Sequence, residues 1–439
     1  LLLGWTGGTP TTDRATPPAS ATYLSAFSNT QYESLRTYLD MPWFQDYMIH
    51  HLYFGHRDWA TAAGDAAPYM KNVYFLRPKN GTFKVMPWDM ENLMWHQNED
   101  RVTGMTTFAG GTPTLLPPAA VHPRAKNNAE YRLEFADRAW RHLVRPGGAL
   151  TPPVITTRLD KWASIVNTDA ICLESARWGD NRDDANPYTY ATHWVTEKNR
   201  ILNTILPERG GLGTTPANSA LNQCRNFKAG VVSYPLYPAT AAPEFHNASG
   251  GALQHGGIVP GGFQLEIRNP GGSGTLYYTL DGTDPREPFT AAITAGALSY
   301  GVPVPLPASR TVSARVLNAG GWSALTNAWF SVATVPATAA NLVVSEFNYR
   351  PSAPTAAEIT AGFADANDFE YIELLNTSAS PVLLEGCSFT SGVTFHFDST
   401  TLREIPAGGR ILLVENPAAF AFRHGGALPV AGSFRLGSS

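Results

Sequence analysis

The chain has 439 residues, 43% of them hydrophobic and only 15% charged, with 39 Gly, 34 Pro and a formal net charge of −4. An average domain is ~25% charged, so a coiled coil or long charged helical array is excluded, and 11 Trp, 17 Tyr and 21 Phe supply too much apolar surface for a disordered chain. No Lys/Arg run marks a nucleic-acid surface, no run of about 18 apolar residues marks a membrane span, and Cys172, Cys224 and Cys387 fit neither a disulfide framework nor a zinc cluster.

The length implies roughly two to four domains at about 100–200 residues each. The chain starts at Leu1 with no export-signal pattern after it, which reads as a truncated start. Near residue 210 helical patterns give way to Val/Thr/Gly/Pro-rich runs with strand alternation. Phe44, Tyr47, Met48, His51 and Leu52 fall at helical spacing, with Asp40 and Pro42 as start signals. Strands are predicted at 72–77 and 82–88 around Pro78-Lys79-Asn80-Gly81, because Asn-Gly favours a hairpin turn. Further helices are predicted at 130–143, at about 153–178 and at about 192–206. Residues 211–243, with Pro216, Pro235, Pro238 and Pro243, read as a linker. A β-domain follows at 244–334, with strands at 263–268, 274–280, 311–317 and 328–332 and a turn at Asp281-Gly282. A short linker at 335–341 leads to a second β-domain, 342–439, with strands at 342–347, 370–376, 393–397 and 410–414. Short strands with regular Gly/Pro turns argue β-sandwiches.

The segment 38–95 carries the most chemistry. It contains Gly55-His56-Arg57-Asp58-Trp59, then Asn72 at the opening of the hairpin, then Pro87-Trp88-Asp89-Met90-Glu91-Asn92 at its close. A loop acid after a helix, an Asn and a second acid suit a Mg-nucleotide site. Mg²⁺ takes oxygen ligands from one or two carboxylates plus phosphates. Phosphoryl transfer needs an Asp for the nucleophile's proton, and an Asn and an Asp for metal. A hairpin returns the chain so that Asn72 and Asp89 meet.

These motifs resemble the spore-coat-protein-H-type (CotH) atypical kinases. The family pattern runs Gly-Asn-x-Asp-Trp, Asn-x-Tyr-x-x-Arg, Pro-Trp-Asp, here at Gly55–Trp59, Asn72–Arg77 and Pro87–Asn92. The helix at Asn128–Leu143 and the segment Glu174–Asp180 resemble further family motifs, so the likeness covers about residues 23–210. It implies Asp58 as catalytic-loop acid, Asn72 and Asp89 as Mg²⁺ ligands, Glu91 as an accessory acid, and ATP and Mg²⁺ as cofactors. One residue departs from the family pattern, and two features depart from a typical kinase. His56 stands where the family has Asn. The metal-type Asn of typical kinases follows the catalytic Asp by about five residues, whereas Asn72 follows Asp58 at a longer interval. Most of an ATP-gripping N-terminal lobe is missing, since Gly4-Trp5-Thr6-Gly7-Gly8 lacks a following strand and Lys.

Tyr277–Arg286 and Gly321-Trp322-Ser323 resemble the chitobiase/β-hexosaminidase C-terminal-like module. Val344–Tyr349 and Phe369–Asn376 resemble the lamin tail domain, an immunoglobulin-like sandwich, here read as truncated at Ser439. The expected fold class is thus an α+β kinase-like region, 1–210, mostly C-terminal lobe, followed by two all-β immunoglobulin-like sandwiches, the last incomplete. The resemblance implies an exported or cell-surface bacterial protein that phosphorylates Ser/Thr of an exported protein, with surface or matrix contacts through the β-modules. The rival is a non-catalytic surface scaffold. A carbohydrate-active protein fits less well, because no acid pair suits a glycosidase. Neither nucleic acid nor membrane is an expected partner. Several other residues take a structural reading. Glu174, Arg177 and Trp178 suit an internal ion pair with packing. His50 and His51, adjacent on a helix, should point apart and so not form a metal site with His56. Asn80, Asn247 and Asn376 fit the Asn-x-Ser/Thr pattern.

Overall fold

The computed structural model describes residues 27–56, 72–79, 81–99, 121–167, 169–181, 183–211, 219–225, 228–229, 232–233, 235–319, 321–397 and 402–436. The chain divides into two compact units. The first comprises Leu1–Glu244, Ile267–Gly301 and Ser313–Asn327; the second comprises Phe245–Glu266, Val302–Val312 and Ala328–Ser439.

The first unit is built on α1 (Asn29–Arg36) and α2 (Met41–Phe54). Ser28 and Gln31 form a capping box at the start of α1. The Asp40 side chain accepts from the Trp43 amide at 3.1 Å, and Pro42 sits in the first turn of α2, where a missing N–H costs nothing. Gly55, at φ 63°, ends α2 in the left-handed conformation that glycine takes most easily. Phe44, Met48, Leu52 and Tyr53 of α2 share one core with Tyr131 and Phe135 of the Ala129–Ala139 helix. That helix is capped by the Asn128 side chain and runs into a π-helical turn, Trp140–Val144. Asp46 on α2 receives Arg138 Nε at 2.7 Å and lies 2.9 Å from His142 Nε2, locking the two helices in register. Burial pushes the Asp46 carboxyl up, but the His142 and Arg138 hydrogen bonds outweigh it and hold it low.

The hairpin β1 (Val73–Leu76) and β2 (Lys84–Pro87) forms as expected, antiparallel from Val73↔Pro87 to Leu76↔Lys84. Its Asn80 lies outside the described residues. The β2 side docks on the start of α2. Asp40 N donates to Phe83 O, Trp43 Nε1 donates to Val85 O at 2.7 Å, and Lys84 Nζ lies 3.4 Å from Asp40 and 4.7 Å above the Trp43 ring.

Two expectations change in the helices that follow. The single helix expected at 153–178 is two, Pro152–Val166 and Asp169–Trp178. The break falls at Asn167, whose side-chain oxygen accepts from Tyr190 OH and Trp194 Nε1, a tertiary demand that local pattern does not display. The helix expected at 192–206 alternates between π and α turns from Tyr190 to Arg209. The stretch 211–243, expected as a linker, contains the Ala220–Arg225 helix. Its Leu221, Cys224, Leu236, Tyr237 and Ala242 lie in the same core as α2.

The first unit also holds β-structure. Thr275–Thr279 pairs antiparallel with the later strand from Thr275↔Leu317 to Thr279↔Ser313, and Gly321-Trp322 folds back on Leu317 and Asn318. Arg315, with no exposed surface, extends from this sheet between two carboxylates. Asp137 of the Ala129–Ala139 helix takes Nη1 and Nη2 at 2.8 and 2.6 Å. Asp284 takes Nε and Nη2 at 2.8 and 2.7 Å, and Ser323 O takes Nη1 at 2.7 Å. Burial works against the charged guanidinium, but the Asp137 and Asp284 carboxylates outweigh it and push the group further toward the charged form. Arg286, 4% exposed, is bidentate to Glu130 at 2.8 and 2.6 Å, and Glu130 also accepts from the Phe289 amide.

In the second unit Gly257–Val259 runs parallel to Phe330–Val332. A four-stranded sheet orders Leu342–Asn348, Tyr371–Asn376, Arg410–Val414 and Val430–Ser433, and Ser388–Phe389, Val393–His396 and Arg435–Leu436 form another. Leu374, Phe395, Phe397, Ile405, Leu413 and Phe434 fill the core. Asn376 is fully buried, its amide donating to the carbonyls of Ser380, Ile405 and Pro406, so its Asn-x-Ser/Thr pattern serves a turn. Glu358 closes a capping box with Thr355 and receives Arg423 Nε at 2.7 Å.

Arg315→Met should destabilise the protein by about 3–5 kcal/mol in urea denaturation, because Asp137 and Asp284 keep their burial and lose their cation. Adding Asp137→Leu and Asp284→Leu should recover part of that loss. In the second unit, the Arg423 and Thr355 hydrogen bonds lower the Glu358 carboxyl from 4.5 to about 2. A lowered carboxyl stabilises above its ordinary value and stops doing so as pH falls through the folded value. Glu358→Gln should therefore lower the melting temperature of that unit at pH 7, with the difference from wild type shrinking below about pH 4.5 and closing near pH 2.

Candidate functional site

The open end of the β1–β2 hairpin carries the candidate residues. The last register pair is Val73↔Pro87, so Asn72 and Asp89 lie just outside it on opposite arms. Both have left-handed backbones, φ 54° at Asn72 and φ 51° at Asp89. Asn and Asp are the non-glycine residues that tolerate this region best, and such conformations gather at functional sites. Between the arms, Trp88 and Tyr74 pack edge to face at 5.1 Å, each 57% exposed. Asp89 and Glu91 are exposed. Asp89 has no ion-pair partner among the described residues. At the turn end of the hairpin Arg77 donates Nε to Gly81 O at 3.0 Å and covers the Phe83 ring.

The hairpin thus brings Asn72 and Asp89 to one end, and Glu91 follows in the adjoining turn. Asp58 lies outside the described residues. An amide oxygen and an uncommitted carboxylate are hard oxygen donors of the kind Mg²⁺ takes alongside phosphates, so the pair fits that ion's demand. Among the described residues, no group of three or more His, Cys, Asp or Glu is gathered as a metal cluster.

The segment after Asp89 is tied back by elements that sequence reasoning missed. Met94 N donates to Phe54 O at 2.9 Å, at the end of α2. Arg200 gives Nη2 to Met94 O at 2.9 Å and Nη1 to Trp95 O at 3.2 Å. Gly55 faces the Glu99 side chain so closely that a Cβ there would lie 2.7 Å from Glu99 Cγ. Of these ties, sequence placed only Arg200 in an expected helix, at about 192–206.

The histidines behave differently from expectation. His50 and His51 do not point apart: their rings are 5.5 Å apart, and His51 lies 5.2 Å from His56. Burial lowers His50 to about 4 and His51 to about 3, so both are neutral at physiological pH. His51 Nδ1 lies 2.9 Å from Tyr47 O. The trio is part of the packing at the end of α2. Glu174 forms no ion pair among the described residues; Arg177 instead lies 4.9 Å over its neighbour Trp178, on a helix with no buried residue.

Residues 20–195 match the family model of the CotH kinase protein. This CotH-like stretch spans α1, α2, the hairpin and the helices as far as Val195, and so includes every candidate residue. Residues 263–328 match the model described as Fn3 associated, within the β-region where a chitobiase-like module was expected. No curated protein matches the chain. Among the described residues, no helix is long and apolar enough to cross a membrane.

Because the Asp89 backbone is left-handed, Asp89→Asn should leave stability within about 0.5 kcal/mol of wild type, whereas Asp89→Ala should cost about 1–2 kcal/mol in the same denaturation experiment. Gly55→Ala should cost more than Asp89→Ala, since it adds the collision with Glu99 to the same backbone strain.

Proposed function

We propose that the CotH-like stretch is the catalytic part of an atypical protein kinase that transfers the ATP γ-phosphoryl group to a Ser/Thr hydroxyl of an exported protein. The observation that carries the reading is the hairpin that sets Asn72 and an uncommitted Asp89 at one end, within a segment that matches the CotH kinase family. Asn72 and Asp89 would hold Mg²⁺, with Glu91 an accessory acid in the adjoining turn. Bound Mg-ATP would supply the phosphoryl group and neutralise its charge. Asp58 would accept the proton of the attacking hydroxyl, and the exposed Trp88 and Tyr74 would shield the hairpin end from water. The β-rich remainder, read as chitobiase-like and lamin-tail-like immunoglobulin sandwiches, would present the enzyme at a bacterial cell surface.

A non-catalytic scaffold is the second reading. The exposure of Asp89 and Glu91 and the absence of a gathered acid cluster among the described residues favour it. Calorimetry with Mg-ATP and transfer of labelled phosphate, run on the natural full-length protein, separate the two. The kinase reading expects Mg-ATP binding and labelled product, with Asp89→Asn reducing Mg²⁺ affinity beyond the ~10–100-fold typical of an outer-shell partner. A wild-type protein that binds no nucleotide makes it a scaffold.

A further inference from the structure

Arg209 lies far along the chain from Asn72 and Asp89, yet its guanidinium is spent on the end of α2 and on the end of the segment that follows Asp89. It is 2% exposed and stands at the end of the Leu206–Arg209 helix. Its Nε donates to Tyr53 O at 2.8 Å and its Nη2 to Leu52 O, both in the last turn of α2. Its Nη1 donates to Glu99 O at 2.7 Å and to Gln223 Oε1 at 3.2 Å. Gln223 in turn donates Nε2 to the same Glu99 carbonyl at 3.2 Å. We propose that Arg209 is the positioning residue of the candidate site. One guanidinium fixes the end of α2 against the end of the segment that leaves Asp89.

The chemistry explains why an arginine does this. The last carbonyls of a helix have no donor within the helix. They are also the negative end of its dipole, where a cation is favoured. A planar fork with donors in fixed directions can serve Leu52, Tyr53 and Glu99 at once, whereas a lysine ammonium is a single point on a flexible stem. Gly55 tightens the same junction, because only a residue without Cβ lets the chain pass the Glu99 side chain. Arg200, bonded to Met94 O and Trp95 O, holds the middle of the segment, and Arg209 holds its far end.

The inference rests on the kinase-like reading for its catalytic consequence, but the clamp itself has a readout that needs no turnover. Amide hydrogen exchange on the full-length protein reports the His56 amide, bonded to His51 O, and the Glu99 amide, bonded to His96 O. Arg209→Lys should speed exchange at both by about tenfold, the equivalent of one hydrogen bond to a charged group, with amides of the Ala129–Ala139 helix unchanged. Gln223→Ala should speed Glu99 alone, because it leaves the α2 carbonyls served; it also carries the test if Arg209→Lys does not fold. Where wild type transfers phosphate, Arg209→Lys should lower kcat by roughly 10–100-fold, as a misplaced group does, with KM for the acceptor within about threefold. Unchanged exchange at both amides overturns the clamp. Faster exchange with unchanged kcat overturns the positioning role. A wild-type protein without transfer sinks the kinase reading, and the exchange result then decides the clamp by itself.

Discussion

Burying a guanidinium is among the more costly things a fold can do, and among its described residues the first unit does it three times. Arg209, Arg286 and Arg315 are each almost wholly removed from solvent. Stripping a cation of water costs several kcal/mol unless acceptors meet it in the right geometry. Each arginine therefore dictates what lies around it. Arg315 requires Asp137, Asp284 and the Ser323 carbonyl together; Arg286 requires Glu130 at its fork; Arg209 requires the end of α2 beside Glu99. Apolar packing allows a helix to slide or rotate at modest cost, but these sets of acceptors do not.

That constraint explains how a chain with few charges holds a helical region and β-structure in one unit. Asp137 and Glu130 lie on the same helix, and each meets an arginine from the β-region. The same helix meets α2 through Arg138 and Asp46. It is therefore fixed on both sides by ion pairs while Tyr131 and Phe135 fill the core between them. The low charge fraction is thus spent partly inside the unit as a set of alignment pins, with Ser, Thr, Asn and small residues left for much of the surface.

Elements that depend on neighbours in sequence were legible; those that depend on neighbours in space were not. Asp40, Pro42 and the helical spacing announced α2, and the turn chemistry around Asn80-Gly81 announced the hairpin, because caps and turns are local. The turn at Asp281-Gly282 was legible as well: Thr283 N donates to Asp281 and Arg286 N donates to Asp284. That its Asp284 also meets Arg315 and its Arg286 meets Glu130 on a helix was invisible, since Glu130 lies 156 residues earlier. The break at Asn167 and the core role of Leu221, Cys224 and Tyr237 escaped for the same reason. The prolines of 211–243 did not reveal that much of the chain between them is buried.

The candidate site shows a subtler limit. Asn72 and Asp89 were singled out for their oxygen donors, and the structure adds that both stand at left-handed backbones where the same two residue types are favoured for conformational reasons. The two explanations are not rivals. A left-handed residue on each arm at the open end of the hairpin turns the backbone away from the ladder, and strand pairing stops at Val73 and Pro87. The conformation that favours Asn and Asp is thus also the one that ends the ladder beside them. Such an open end has little rigidity of its own, because two four-residue strands are marginal in water. Its stiffness comes from outside: Trp43 and Asp40 on the β2 side, and Phe54, Arg200 and Arg209 along the segment after Asp89. Those groups converge from α2 and from a stretch more than a hundred residues later, which is why the donors could be named from sequence while what holds them in place could not.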